Sequence, residues 1–450
     1  MSPNELIFGY SHWGHATSND LYHWTNEAIA MFPHNDTTRL FTGSAVVDTN
    51  NTSGFFPDQS NGVVAIHTVD MKWPAVKQVQ ELSYSTDGGY SFKRWDRNPI
   101  LDVGSSQFRD PKVIRHGDKW IMVVAYAADL TLGVYSSFNL KEWRHESNIT
   151  HVGLLGDQYE CPNLVQIPVE DTDQSAWLLQ ISINPGAPLG GSVIQYVPGD
   201  FNGTHFSPFD RAARLSNFGK DDYAAQFFYD EPVSIGWTSN WQYCDKTPTA
   251  EEGWRGTTTI PRRHSLVKDP IRGYEMRQVP VDLTPALGDR LLSSEQLAND
   301  KPLVRDFKNG VYLDMNVTLP QDVESPAGAS FNITFTSPSN DEFKAQYFFG
   351  GPMANTTFLN RKNDAWDHPA YTDVASFSQT HTAERYQLIL DRVVVEAFVD
   401  NGRGHGVMAT YAKRPYDSVK IAAGSLPEGM TLTVELHDLK DTWKSASGKE

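Results

Sequence analysis

From residue 306 onward the chain alternates apolar and polar positions with a period of two. Val311, Leu313, Met315, Val317 and Leu319 share one face, and Tyr312, Asp314, Asn316 and Thr318 share the other. Phe331/Ile333/Phe335 and Leu432/Val434/Leu436 repeat the pattern. A strand with one buried and one wet face writes this alternation, so residues 306–450 are expected to form a β-sandwich. Long runs of 3.6-residue period are nearly absent, and turn residues recur about every ten positions. Both features predict an all-β protein.

The first half repeats a different unit. Ala16-Thr-Ser-Asn-Asp-Leu-Tyr-His-Trp24 recurs as Tyr84-Ser-Thr-Asp-Gly-Gly-Tyr-Ser-Phe92 and as Tyr135-Ser-Ser-Phe-Asn-Leu-Lys-Glu-Trp143. A looser copy is Gly199-Asp-Phe-Asn-Gly-Thr-His-Phe206. Each reads as a strand, a tight turn and an aromatic that opens the next strand. One such unit per ~50–60 residues is the signature of a propeller blade. Residues 1–285 are therefore expected to be a five-bladed β-propeller. Residues 286–305 break both patterns and read as a linker, with Leu291–Leu297 as a short helix.

Composition narrows the function. Lys and Arg total 38 against 55 Asp and Glu, a net charge of −17. That balance supplies neither the basic face of a nucleic-acid binder nor a basic helix for a membrane surface. No apolar stretch reaches the ~18 residues of a membrane span. The two cysteines, Cys161 and Cys244, make neither a disulfide scaffold nor a four-thiolate metal site. His12 and His15 are three apart, but their turn-like setting favours packing over metal binding. Nucleophile-elbow, phosphate-loop and His-Glu-x-x-His motifs are absent. No metal and no cofactor is expected. Eight N-x-S/T sequons, at Asn35, Asn50, Asn51, Asn148, Asn202, Asn316, Asn332 and Asn355, point to a secreted glycoprotein. The opening Met1-Ser-Pro-Asn-Glu-Leu lacks the features of a signal peptide.

Two carboxylates have unusual neighbours. Asp110 sits in Phe108-Arg-Asp-Pro-Lys112, where Pro111 interrupts a strand beside the charge and Arg109 adds a cation. Glu160 sits in Asp157-Gln-Tyr-Glu-Cys-Pro162, between an aromatic and a small thiol. That flank is expected to favour the protonated form a general acid needs. The two lie about one blade apart, so both can reach the propeller axis. From spacing alone, a structural turn pair at Arg109–Asp110 and a strand-end glutamate at 160 remain open. So does a core role for the aromatics of Ile235-Gly-Trp-Thr-Ser-Asn-Trp-Gln-Tyr243.

At these residues the sequence resembles glycoside hydrolase family 32, the β-fructofuranosidases, in its fungal invertase-type members. Trp13-Gly-His-Ala-Thr-Ser18, Phe41-Thr-Gly-Ser-Ala45, Phe108-Arg-Asp-Pro111, Tyr159-Glu-Cys-Pro162, Ile181-Ser-Ile-Asn-Pro-Gly186 and Phe201-Asn-Gly-Thr-His-Phe206 match in order. Asn240-Trp-Gln-Tyr243, Trp254-Arg255 and Asp391-Arg…Val395-Glu-Ala-Phe398 continue the series. The resemblance implies a retaining hydrolase that releases terminal β-fructofuranosyl units from sucrose or fructans. It implies Glu160 as acid/base and Asp110 as the group that holds the fructosyl hydroxyls and stabilises developing positive charge. Arg109, Phe41, Thr42, Trp241, Trp13 and Cys161 are implied as substrate-binding residues. Thr42 stands where the family usually has Ser. The implied partner is a fructoside, and association through the sandwich into a homo-oligomer is an expectation.

The resemblance also breaks. Family members carry their nucleophile in a Trp-Met-Asn-Asp-Pro-Asn-Gly stretch upstream of the Trp-Gly-His motif. Here twelve residues precede Trp13 and none is Asp. The expectation is that the nucleophile and the inner part of the first blade are missing through truncation, along with the signal of an extracellular or cell-wall protein. The alternative is a catalytically impaired homologue that binds fructosides or regulates a partner. Asn217 and Asp222 stand where the family usually has Asp and an aromatic, which leaves leaving-group contacts on that rim unassigned.

Overall fold

The computed structural model describes residues 11–72, 75–320, 326–351 and 354–442. Five antiparallel sheets follow one another along the first half. The first holds the strands Ala16–Ser18 and Trp24–Asn26, and the second begins with Thr38–Val47. The third, fourth and fifth begin with Phe108–His116, Tyr159–Pro168 and Tyr223–Phe227. In the last four the first strand pairs only with the second and the later strands follow outward, so the first strand of each is innermost. The inner strands touch one another in succession around the axis. Apolar wedges fill the gaps between blades. Val46, Ile66 and Leu82 pack against Val113, Trp120 and Met122 between the second and third. Ile121, Val123 and Val134 pack against Leu164, Leu179 and Ile181 between the third and fourth. This is a β-propeller.

The repeated unit in the sequence is the outer hairpin of each blade. Asp20, Asp87, Asn139 and Asn202 each turn a side-chain oxygen onto backbone N–H groups two to four residues ahead. The next residue is left-handed in all four: Leu21 at φ 66°, Gly88 at 78°, Leu140 at 63° and Gly203 at 91°. Leucine pays about 1–2 kcal/mol for that conformation, and the Asx hydrogen bonds hold it there. Trp24 and Trp143 then donate their indole N–H to the carbonyls of Leu21 and Leu140, at 2.9 Å in each case. The two described strands of the first sheet are thus an outer pair.

Two six-stranded sheets form the C-terminal sandwich. Their inner faces bury Leu313, Met315, Phe331, Ile333, Phe335, Leu432, Val434 and Leu436, the alternating positions of the sequence. The segment expected as a linker is not one. Leu287–Gln296 pairs with Thr431–Leu439, and Leu303–Asp306 pairs with Ser418–Gly424, so it supplies an edge strand to each sheet. Nor is Leu291–Leu297 a helix. Leu292 and Leu297 are buried in the sandwich core, and repeated register slips let an irregular pattern of apolar residues reach it. Core burial overrides local propensity here.

Buried charge joins the two halves. Asp221 Oδ2 accepts from Arg361 Nη1 at 2.8 Å and from the Ala409 backbone N–H at 2.9 Å, both in the sandwich. The Tyr243 hydroxyl donates to Asp221 Oδ1, and the Arg361 guanidinium lies 3.4 Å from the Tyr371 ring centre.

Candidate active site

The inner strands share one irregularity. Pairing with the second strand slips between Leu40 and Gly43, Arg109 and Lys112, Glu160 and Asn163, and Tyr223 and Gln226. Each slip is a bulge near the start of the strand, at the same end of the propeller. Asp110, Cys161 and Ala224 sit in the last three at φ 65°, 45° and 52°. A bulge bends the strand and re-aims consecutive side chains. Proline follows at 111 and 162, where the interrupted ladder has no use for an N–H.

Neighbouring strands pin each bulge. Ser44 Oγ donates to the Pro111 carbonyl and accepts the Val113 N–H, both at 2.9 Å. Thr68 Oγ1 accepts the Asp110 N–H at 3.0 Å and donates to Gln80, whose amide donates to the Phe108 carbonyl. One blade on, Asn163 Nδ2 donates to the Ala225 carbonyl at 2.9 Å, and Ser182 Oγ accepts the Ala224 N–H at 3.2 Å.

Because of the bulge, Arg109 and Asp110 reach the same neighbours instead of opposite faces. Arg109 Nε donates to Glu160 Oε1 at 3.1 Å and its Nη2 lies 3.0 Å from the same oxygen. Gln78, Gln107 and Gln158 accept from the rest of the guanidinium at 3.3, 2.7 and 2.8 Å. Asp110 Oδ2 accepts the Cys161 N–H at 2.9 Å, with Cys161 Sγ at 3.6 Å. Tyr223 completes the group, its hydroxyl donating to Glu160 Oε2 at 2.6 Å. Glu160 is therefore surrounded by a guanidinium and a phenol from other strands. The apolar flank expected from its sequence neighbours does not enclose it.

Burial dominates the electrostatics. It pushes the Asp110 carboxyl up to about 6, helped by the Glu160 charge and opposed by Arg109 and the Cys161 N–H. Burial, with the nearby Asp110 and Glu160 charges, holds the Cys161 thiol well above its ordinary range. Burial and Glu160 do the same to the Tyr223 phenol. Cys161 is thus a neutral small side chain, and both cysteines are free thiols.

The other expected residues lie around this cluster. Trp13 Nε1 donates to the Phe41 carbonyl at 2.9 Å, and its ring lies 5.8 Å from that of His67. Phe41 and Thr42 form the bulge of the second blade, with Thr42 exposed, two residues before the Ser44 that ties down Pro111. Trp241 is 38% exposed and stands edge-on to Trp237 at 5.3 Å; Trp237 in turn faces Tyr223 at 6.4 Å. Tyr243, by contrast, is fully buried. The aromatic run 235–243 therefore divides between core and surface. His12 and His15 pack edge-on against Phe32 and Tyr90.

Sequence reasoning missed Tyr223 and the three glutamines. A signal existed: Tyr223-Ala224 opens an inner strand as Arg109-Asp110 and Glu160-Cys161 do. Asp222 itself turns away from the cluster. It is buried against Arg262, with Oδ2 2.7 Å from Nη1, and so belongs to the support beneath Tyr223. Asn217 is buried as well.

Residues 1–280 match the family model described as "Glycosyl hydrolases family 32 N-terminal domain". An extracellular exo-inulinase of Meyerozyma guilliermondii is 36% identical over 428 residues, spanning 89% of this chain and 81% of that protein. Invertase 2 of Saccharomyces cerevisiae is 35% identical over 437 residues, with the same shares of 89% and 81%. The solved β-fructofuranosidase of Schwanniomyces occidentalis, complexed with fructosyl-erythritol, superposes with a TM-score of 0.87 at 32% identity. That alignment covers 98% of this chain and 91% of the other.

Proposed function

The chain belongs to glycoside hydrolase family 32, and from that premise we propose that it acts on terminal β-D-fructofuranosyl residues of sucrose or related fructans by retaining two-carboxylate chemistry. The observation that carries this reading is the meeting of Glu160, Asp110, Arg109, Cys161 and Tyr223 at adjacent bulges. In this reading Glu160 protonates the leaving oxygen and then takes a proton from the incoming water. Arg109 and Tyr223 fix both of its oxygens in the direction of transfer. Asp110 accepts hydrogen bonds from the fructosyl ring hydroxyls and its charge opposes the positive charge that grows at the anomeric carbon. Trp13, Phe41, Thr42 and Trp241 form the walls that hold the sugar, and Cys161 fills the space beside Glu160 without adding charge.

The reading assigns no nucleophile among the residues of this chain. Retaining hydrolysis needs a second carboxylate about 5–5.5 Å from the acid/base across the scissile bond. Loss of a covalent catalyst's nucleophile costs ~10⁴–10⁶ in rate. Sucrose turnover by residues 1–450 is therefore expected to be very slow, and a small anion such as azide or formate is expected to restore it by attacking in the nucleophile's place. Restored turnover that vanishes in Glu160→Gln supports the reading. Fast turnover without added anion shows that the chain holds a nucleophile. No fructose binding by folded protein removes the reading altogether. Secretion to the extracellular space or cell wall, and association through the sandwich, belong to the same proposal. Fractionation of the native host tests the first, and light scattering showing only monomer would remove the second.

A further inference from the structure

A hollow of about 380 Å³ lies on the third blade, apart from the Glu160 cluster, lined by Tyr126, Asp129, Thr131, Tyr135, His145 and Asn148. Its volume falls in the range of small-molecule pockets, about 300–1,000 Å³. Gly133 is the register partner of Asn148 and lies beneath the rings of Tyr126 and Tyr135. A Cβ there would stand 2.8 Å from ring atoms of both Tyr126 and Tyr135. Glycine therefore lets the two rings close over it until their hydroxyls bond to each other. The His145 ring stands 5.1 Å from that of Tyr135 and extends the aromatic wall. Asp129 and Thr131 border the opening with a carboxylate and a hydroxyl. Ring faces beside hydroxyl partners are the combination that holds a pyranose, with its apolar face on the rings and its hydroxyls on the polar rim.

Asn148 is the first residue of the sequon Asn148-Ile149-Thr150. Its side chain is exposed on the outermost strand of the blade. The Nε2 of His145 lies 2.8 Å from Asn148 Oδ1. That contact occupies the carbonyl end of the amide and leaves Nδ2 for substitution. We propose that Asn148 carries an N-linked glycan whose first N-acetylglucosamine is seated in this hollow. The bond forms in the secretory pathway. Asn148 Nδ2 attacks the anomeric carbon of a lipid-diphosphate-linked oligosaccharide, the anomeric C–O bond to the diphosphate breaks, and Nδ2 gives up one proton. The seated sugar covers the edge strand Arg144–Thr150, whose unpaired backbone would otherwise be open to pairing with another chain.

The test is secretion of the full chain from a glycosylating yeast behind a cleavable leader, with site occupancy read by glycopeptide mass spectrometry. Release by peptide N-glycanase, which must reach the first sugar, is then timed on native protein and on denatured protein. The expected result is an occupied Asn148 whose release is at least tenfold slower in the native state. An Asp129→Ala/Thr131→Ala variant is expected to bring native release back to within threefold of the denatured rate. An unmodified Asn148, a smaller native protection, or protection untouched by the double substitution overturns the proposal. None of these readouts depends on turnover at Glu160.

Discussion

Cys161 donates its backbone N–H to Asp110 on the adjacent blade, at 2.9 Å. The residue that follows Glu160 in sequence thus holds the other carboxylate of the cluster. Arg109, which precedes Asp110, holds Glu160 in return. Two bulged strands exchange support, each carboxylate being fixed by the neighbour of the other. This reciprocity places two acidic groups side by side without bringing their strands out of the propeller.

Replacing Glu160 by Gln keeps the side chain's size, with its one oxygen accepting from Arg109 and its amide nitrogen donating to the Tyr223 hydroxyl, but removes the transferable proton. Anion-assisted release of fructose is expected to fall ~10²–10⁴-fold, the usual share of a general acid or base. Fructose binding is expected to change little. Paired rate and binding measurements on the variant check this.

Asp110 makes stability depend on pH. Its carboxyl is raised from 3.8 to about 6 in the folded chain. The folded state therefore binds that proton more tightly than the unfolded state does. The resulting stability is fully present below about pH 4 and is lost as pH rises through about 6. Asp110→Asn removes this loss, so the variant is expected to gain on the wild type between pH 4 and 7, by about 1–3 kcal/mol. Denaturant titrations at both pH values measure the difference. A constant gap would show that burial of Asp110 is not what sets it.

Arg361 and Asp221 are both fully buried between the propeller and the sandwich. Arg361→Met leaves the Asp221 charge without its partner, a change that costs about 3–5 kcal/mol. Because Asp221 stands two residues before Tyr223, the loss is expected to reach the Glu160 site as well. Adding Asp221→Asn should recover part of the stability, which thermal unfolding of the single and double variants would reveal.

The sequons are not equivalent. Asn355 is fully buried and donates its amide Nδ2 to the His381 carbonyl at 2.9 Å. The folded sandwich has no room for a sugar there, so Asn355 is expected to be unmodified in secreted protein, while exposed Asn35 and Asn202 accept glycans. Glycopeptide mapping that found Asn355 occupied would contradict the burial.

The sequence by itself determined what depends on period and local chemistry. Alternation of two located the sandwich core at Leu313, Phe331 and Leu432, and the repeated strand-turn-aromatic units marked propeller blades. The unusual settings of Asp110 and Glu160, with a family resemblance, marked the two carboxylates. The tertiary structure decided the rest. Residues 287–306 are strands because they find partners more than a hundred positions away, and no local pattern encodes that pairing. Arg109 and Asp110 share neighbours because a bulge overturns the alternation that adjacent strand residues otherwise obey. Tyr223 joined the site because its hydroxyl meets Glu160 from the neighbouring blade, and Asp222 left it for a buried pair with Arg262. Periodicity records which face a residue presents. The environment of a charge is set by groups brought to it from distant parts of the chain, and only folding assembles them.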